Sequence, residues 1–350
     1  MKLFETATCS SLPQVSPDLS RDIQCSEKTP QEHRALFARL DALHLLETGG
    51  EMPMPHPLAD RITVMAWNLQ RCLFPEQSAD LLRPHDPDVI LLSEMDIGMA
   101  RTHQRHTVRA LADSLGMRYA FGVEFFELGL GNDLERRLAA DDHNNCGWHG
   151  NALLCRQEPD ALALIRLDES GLWFCPEDGL GNDSVAKQPR VGGRCAIAAI
   201  LPSEAGTICV ASAHLESLDD PSIRLSQMER LIAALDGFAP GLPTIIGGDL
   251  NTAFTPEGGG TKEEPLFRAA ERHGFSWANN AKGTTTRRSL LTYKPRPPRK
   301  LDWLCARGFV PVEAAILPAI EASGKALSDH EIILGRYALP NGPQDERQDG

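Results

Sequence analysis

A carboxylate and a carboxamide, Asp249 and Asn251, follow the apolar pair Ile245-Ile246 and two glycines. In an extended chain, residues i and i+2 point to the same side. The two polar groups therefore leave a buried strand together, at the carboxyl end where α/β proteins tend to place their sites. Gly247 and Gly248 let the backbone approach a ligand or turn sharply. Other apolar runs end the same way. Val64–Trp67 runs into Asn68, Val89–Leu92 into Ser93-Glu94, and Val210–Ala213 into His214. Asp302 lies in Lys300-Leu301-Asp302-Trp303, and Asp329-His330 precedes the last apolar strand. An unpaired buried carboxylate is costly. So many polar groups at strand ends make sense if they meet around a cation.

The residue types narrow the chemistry. Carboxylate and amide oxygens are hard ligands, suited to Mg²⁺ or Mn²⁺ rather than zinc. The histidines are free to move a proton or to hydrogen-bond a phosphate oxygen. Together these are the parts of metal-assisted phosphoester hydrolysis.

The elements that must position these groups are strands at Ile62–Trp67, Val89–Leu92, Tyr119–Phe126, Gly150–Cys155, Leu162–Leu167, Arg194–Leu201, Thr207–Ala213, Thr244–Ile246, Leu301–Cys305, Glu313–Leu317 and Glu331–Arg336. Helical patterns cover Gln77–Leu82, Thr107–Leu115, Ile223–Phe238 and Pro265–Arg272. Several strands follow one another without a helix, so a mixed or antiparallel pair of sheets with covering helices is expected. Residues 1–60 read as an N-terminal extension. Leu36, Leu40, Leu43 and Leu46 there predict a helix over 32–46, and a Pro-rich linker ends at Pro57. The main domain spans 61–339, and 340–350 read as a polar tail. Gly129–Asn145 and Pro176–Gly193 are long polar loops, of the kind that carry function.

Bulk properties exclude some classes. A net charge of −13 over 350 residues disfavours non-specific adhesion to nucleic acid or anionic membranes. No run of about 18 apolar residues predicts a membrane span. Glu5 interrupts the start, so no secretory signal is expected. Nine scattered cysteines without a C-x-x-C pair argue against a zinc ribbon or a disulfide framework, and fit a reducing cytoplasm.

The ordered set Trp67-Asn68, Ser93-Glu94, His149-Gly150-Asn151-Ala152, His214-Leu215, Gly248-Asp249-Leu250-Asn251, Leu301-Asp302-Trp303 and Ser328-Asp329-His330 resembles the endonuclease/exonuclease/phosphatase superfamily over about residues 61–337. The resemblance implies a DNase-I-like, four-layered α/β sandwich and a divalent-metal phosphoesterase. It implies that Glu94 is the main metal ligand, with Asn68 and Asp329 close by. Asp249 would orient or deprotonate the attacking water, and Asn251 would hold the scissile phosphate. Asp302 would pair with His330, which contacts the phosphate. His214 occupies a position where abasic-site endonucleases carry tyrosine, and Gln70 one where they carry aspartate. Both departures point away from abasic-site repair.

His149, Asn151 and Arg194 are candidates for substrate contact or for bracing the site. Arg287, Arg288, Lys294, Arg296, Arg299 and Lys300 form the densest positive stretch and run into Asp302. They could guide a polyanion, although only Tyr293 is interleaved as an aromatic. The expected substrate is a phosphodiester, either nucleic acid or a small nucleotide-like or lipid-headgroup ester. A phosphomonoesterase acting on a sugar or inositol phosphate is the alternative, and a silent binding module on the same fold is a third. Protein partners are not legible.

Overall fold

The computed structural model describes residues 3–51, 57–175, 190–254, 264–292 and 297–340. Most of the Pro-rich linker, residues 176–189, Tyr293, Lys294, Arg296 and residues 341–350 of the tail lie outside the described residues. Strands β1 (Thr8–Cys9), β2 (Leu46–Gly50), β3 (Arg61–Arg71), β4 (Val89–Ile97), β5 (Arg118–Glu127) and β6 (Trp148–Cys155) belong to one sheet. So do β8 (Arg190–Gly192), β13 (Val310–Leu317) and β14 (Ile332–Ala338). The order is β1-β2-β5-β6-β4-β3-β14-β13, with β8 paired to β5. A second sheet holds β7 (Ala161–Arg166), β9 (Cys195–Leu201), β10 (Ile208–His214), β11 (Thr244–Phe254) and β12 (Lys300–Arg307), in the order β12-β11-β10-β9-β7.

Period-two patterning builds the layers. In β3, Ile62, Val64 and Ala66 face the space between the sheets, while Met65, Trp67 and Leu69 face the helices outside. That outer layer includes α3 (Pro75–Leu82) and α4 (Thr107–Leu115). In the smaller sheet, Ile197, Ala199 and Leu201 face inward and Ala196 and Ala198 outward. The outward set packs on α6 (Pro221–Phe238) and α7 (Pro265–Arg272). The result is the four-layered α/β sandwich expected from the motifs. No helix among the described residues is long and apolar enough to cross a membrane.

Gly247 and Gly248 serve the sheets rather than a ligand. A Cβ on Gly247 would lie 2.3 Å from Leu304 Cδ2 and 2.9 Å from Leu91 Cδ1, so this glycine lets the two sheets close on each other. Gly248 has φ 139°, and a Cβ there would meet the Ala213 carbonyl oxygen at 2.0 Å.

The N-terminal residues correct the helix expected over 32–46. The helix α2 spans Pro30–Arg39, with Thr29 Oγ1 capping Glu32 N and Pro30 at its first position. Leu40 leaves helical geometry, a short 3₁₀ turn follows at Asp41–His44, and Leu46 enters β2. Ladder bonds from Leu46–Gly50 to β5 outcompete further helix. All four leucines are buried, but by three different elements. The sequence pattern also missed α1 (Pro17–Cys25) and α5 (Asp133–Leu138), the latter inside the stretch read as loop.

Leu36 is fully buried in the same core cluster as Trp67 and Leu92. Leu36→Ala should therefore cost about 2–4 kcal/mol of unfolding free energy in urea titration. A loss under about 0.5 kcal/mol, the surface value, would mean that residues 3–51 are a loose arm.

Candidate active site

Each sheet brings a parallel pair to the same end of the sandwich. Asn68 and Ser93 are register partners on β3 and β4. On the other sheet His214 pairs with Asp249, and Asp249 with Asp302, so three chemical side chains form one row across three strands. The ladders break just beyond these rows. β3 and β4 slip between Asn68 and Arg71, and β4 and β6 slip between Leu92 and Met95. Glu94 sits in the second slip with φ 58° and is turned out of the pleat. Asn251 also has a left-handed backbone, φ 51°, and its N–H donates to Asp249 Oδ1 at 2.9 Å.

Asn68 joins the sheets. Its Nδ2 donates to Glu94 Oε1 at 3.1 Å and to Asp249 Oδ2 at 2.9 Å. Its Oδ1 accepts the Gln70 N–H at 3.0 Å, which fixes the amide orientation. Asp249 Oδ2 also lies 3.7 Å from Nε2 of both His214 and His330. His330 Nδ1 donates to Asp302 Oδ2 at 2.8 Å. Ser328 Oγ donates to the Asn68 carbonyl oxygen, and Trp67 Nε1 to that of His330 at 2.9 Å. These bonds seat the loop before β14.

A cleft of about 290 Å³ opens here, and Glu94, His149, Arg194, His214, Asp249, Asn251, Asp329 and His330 are on its wall. Asn68, Asn151 and Asp302 stand behind that wall. Asn151 is fully buried and donates to Glu124 Oε1 at 3.1 Å and to the Cys195 carbonyl oxygen at 2.8 Å. It supports Glu124 instead of reaching into the cleft, because its strand face turns inward between the sheets. His149 Nδ1 lies 2.8 Å from Asp96 Oδ1. Arg194 Nη1 donates to Glu124 Oε2 at 3.3 Å and lies 2.9 Å from His214 Nδ1, so it braces the carboxylate on which His214 rests.

The charges hold one another. Burial would raise Glu94, but Arg71, His214 and His149 hold it well below the usual carboxylate range. His330 is raised well above the ordinary imidazole value: burial opposes its charge, and Asp302 and Asp249 overcome it. Asp329 is pushed up to about 6 by burial, with Glu94 and Asp249 adding to the rise. A carboxyl so crowded by others is suited to sharing a cation, and the donor set here is oxygen-rich. Asp249, Asp302 and His330 also present atoms within 4.8 Å of one another, close enough to hold an ion. In that trio, however, Asp302 is engaged by the His330 Nδ1–H, and a protonated imidazole repels a metal. Glu94 and Asp329 place two further carboxylates on the same cleft.

The structure adds residues the motifs did not reveal. Glu124 is a carboxylate flanked by apolar residues inside β5, a pattern that marks a buried partner. Asn132 and Glu135 form a capping box on α5 and line the cleft, and the Asn-x-x-Glu spacing was visible. Arg71, Trp173 and Arg190 also line it, and no spacing rule points to them. Trp173 Nε1 donates to Glu216 Oε2 at 3.0 Å, and the Arg190 and Arg194 guanidiniums stack on the Trp173 ring at 5.3 and 5.6 Å. The basic stretch is less free than its sequence implies. Arg287 pairs with Glu331 at 3.1 Å, and Lys300 is buried over the Trp303 ring at 4.2 Å.

Burial opposes the Glu124 charge, yet His214 and Arg194 bring its carboxyl down to about 2. A depressed value adds stability above the ordinary pKa, and that contribution is lost as pH falls toward the folded value. Glu124→Gln should lower unfolding free energy at pH 7 by on the order of 2–3 kcal/mol. The difference from the parent should narrow between pH 4 and pH 2. Urea titrations at pH 7 and pH 3 check this, and a pH-independent difference would contradict a charged Glu124.

Solved structures share this fold. The human Nocturnin catalytic domain with bound sulfate anion is similar at TM-score 0.55 and 21% identity, over 81% of this chain and 96% of that one. An endonuclease/exonuclease/phosphatase from Beutenbergia cavernae is similar at TM-score 0.55 and 19% identity, over 80% and 72%. A conserved protein of unknown function from Enterococcus faecalis is similar at TM-score 0.55 and 15% identity, over 80% and 100%. At these identities the likeness is one of fold. No curated protein matches in sequence. The model of the Endonuclease/Exonuclease/phosphatase family matches residues 65–330, and the chain belongs to that family.

Proposed function

We propose that this protein hydrolyses phosphoester bonds with the help of Mg²⁺ or Mn²⁺, and that its substrate is a phosphodiester. The carrying observation is the placing of Asp249 between Asn68, His214 and His330, on a cleft shared with Glu94 and Asp329. The family is generally divalent-metal dependent. Glu94 and Asp329 would hold the ion, with Asn68 keeping Glu94 in place. When bound, the metal would polarise a phosphoryl oxygen and offset its charge.

The remaining steps belong to side chains. Asp249 accepts the proton of a water as the water oxygen bonds to phosphorus. His330 donates from Nε2 to a non-bridging oxygen, while Asp302 fixes the ring through Nδ1. Asn251, whose Nδ2 already donates to the Leu215 carbonyl oxygen at 2.9 Å, has its second N–H for the phosphate. The P–O bond to the departing alcohol breaks, and we assign protonation of that oxygen to His214. Glu124 accepts from His214 Nδ1 and so orients the ring, and Arg194 donates to Glu124.

A second reading, a phosphomonoesterase, is favoured by the cleft itself. At about 290 Å³, walled by Arg71, Arg190 and Arg194, it suits a small anionic ester. Partial engagement of the basic stretch points the same way, because fewer free cations remain for a long polyanion.

Asp249→Ala and His330→Ala should each lose about a hundredfold or more in kcat while keeping a folded circular-dichroism spectrum at the assay temperature. EDTA should abolish turnover of bis-p-nitrophenyl phosphate, and Mg²⁺ or Mn²⁺ should restore it. A fully active Asp249→Ala variant would sink the assignment. Across DNA, RNA, cyclic nucleotides, headgroup diesters and sugar phosphates, a small ester predicts a shallow dependence of kcat/KM on salt. A steep one would identify nucleic acid.

A further inference from the structure

Gln70, Arg71 and Cys72 are three consecutive non-glycine residues with φ of 44°, 79° and 54°. Left-handed backbone at such residues is uncommon, and a run of three needs a cause. The β3 bulge supplies one, since register with β4 slips between Asn68 and Arg71. The bends are held by the Gln70 N–H on Asn68 Oδ1 at 3.0 Å and the Cys72 N–H on the Leu69 carbonyl oxygen at 2.9 Å. Their effect is to turn Arg71 onto the cleft wall beside Glu94.

Arg71 is held at both ends, but only the inner hold is buried and braced. Its Nε donates to Glu135 Oε1 at 2.8 Å. Glu135 is buried and fixed in turn, by the Asn132 N–H on Oε2 at 2.7 Å and by Arg101 Nη1 on Oε1 at 3.2 Å. The outer end of Arg71 donates from Nη1 to Glu94 Oε2. Both side chains keep an opening to the cleft, with 15% of Arg71 and 22% of Glu94 exposed. Both Glu94 oxygens are therefore occupied, Oε1 by Asn68 and Oε2 by Arg71. Asn68 cannot yield easily, because it also holds Asp249 and is itself held by Gln70. The group that an entering cation would displace is Arg71 Nη1.

We propose that Arg71 is a two-position residue: a built-in counter-cation for Glu94 until a divalent ion arrives, and afterwards a donor to the non-bridging oxygens of a phosphoryl group. The Glu135 tether keeps the guanidinium within the cleft in both positions. Its planar fork suits a tetrahedral oxyanion. This rests on the metal reading above.

The test is calorimetric titration of Mn²⁺ into the full chain, its Arg71→Met variant and its Arg71→Lys variant. Inorganic phosphate is then titrated into each Mn²⁺-saturated protein, with melting temperatures as the fold control. Arg71→Met should bind Mn²⁺ roughly tenfold more tightly, because the competitor is gone. It should bind phosphate roughly tenfold more weakly. Arg71→Lys keeps the charge but loses the fork and the tether. It should hold Mn²⁺ affinity within about twofold of the parent and still lose phosphate affinity, which keeps the idea testable should Arg71→Met fail to fold. Mn²⁺ affinity that is unchanged or weaker in Arg71→Met overturns the proposal, as does phosphate binding unchanged in both variants. A parent protein that binds no Mn²⁺ at all overturns the metal reading, and this proposal with it.

Discussion

One neutral side chain keeps two carboxylates from facing each other across the join between the sheets. Asn68 offers both hydrogens of its amide, one to Glu94 on the larger sheet and one to Asp249 on the smaller. Without that bridge, two buried negative charges would oppose each other at low dielectric, a cost that side-chain packing does not recover. The residues around Asn68 serve the same end. Ser328 bonds its carbonyl oxygen, Trp67 bonds that of His330, and the closing of the sheets at Gly247 brings the two rows into reach. Site geometry and sheet packing are in this sense one constraint.

Opposite charges and aromatic rings link the groups around the cleft. From Glu94 the contacts run to Arg71, Glu135, Arg101, Glu127 and Arg190, then over the Trp173 and Phe125 rings to Arg194, His214 and Asp249, and back through Asn68. Each buried charge has an opposite neighbour, which is how so many ionised groups persist away from water. Such a ring fixes the rotamers of its buried members.

The strand-end motifs were legible because each depends only on local periodicity: an apolar run, then one polar residue. The family resemblance that those motifs carry, rather than the periodicity itself, implied the Asp302–His330 pair and a shared site for Glu94, Asp249 and Asp329. Periodicity failed where position depends on a break in the pattern. Arg71 follows a bulge, and a bulge shifts every later side chain by an amount no pattern records. Asn151 carried a promising motif, yet strand register turned it away from the cleft. The leucines at 36–46 kept helical spacing while the chain used them in a helix, a turn and a strand, because tertiary hydrogen bonds outweigh local propensity there. The two glycines before Asp249 spoke of close approach, and close approach is what they provide, to Leu304, Leu91 and Ala213.

The outer side of β5 has two separate covers. β2 pairs with its residues 118–122, and β8 pairs with residues 125–127. A bare strand of this length, carrying Tyr119, Phe121, Val123, Phe125 and Phe126, would be a template for joining another molecule edge to edge. The first fifty residues thus act as a selvage on the larger sheet. None of the described residues 3–50 is on the wall of the cleft, and β2 leaves less of the aromatic strand's edge open to such pairing.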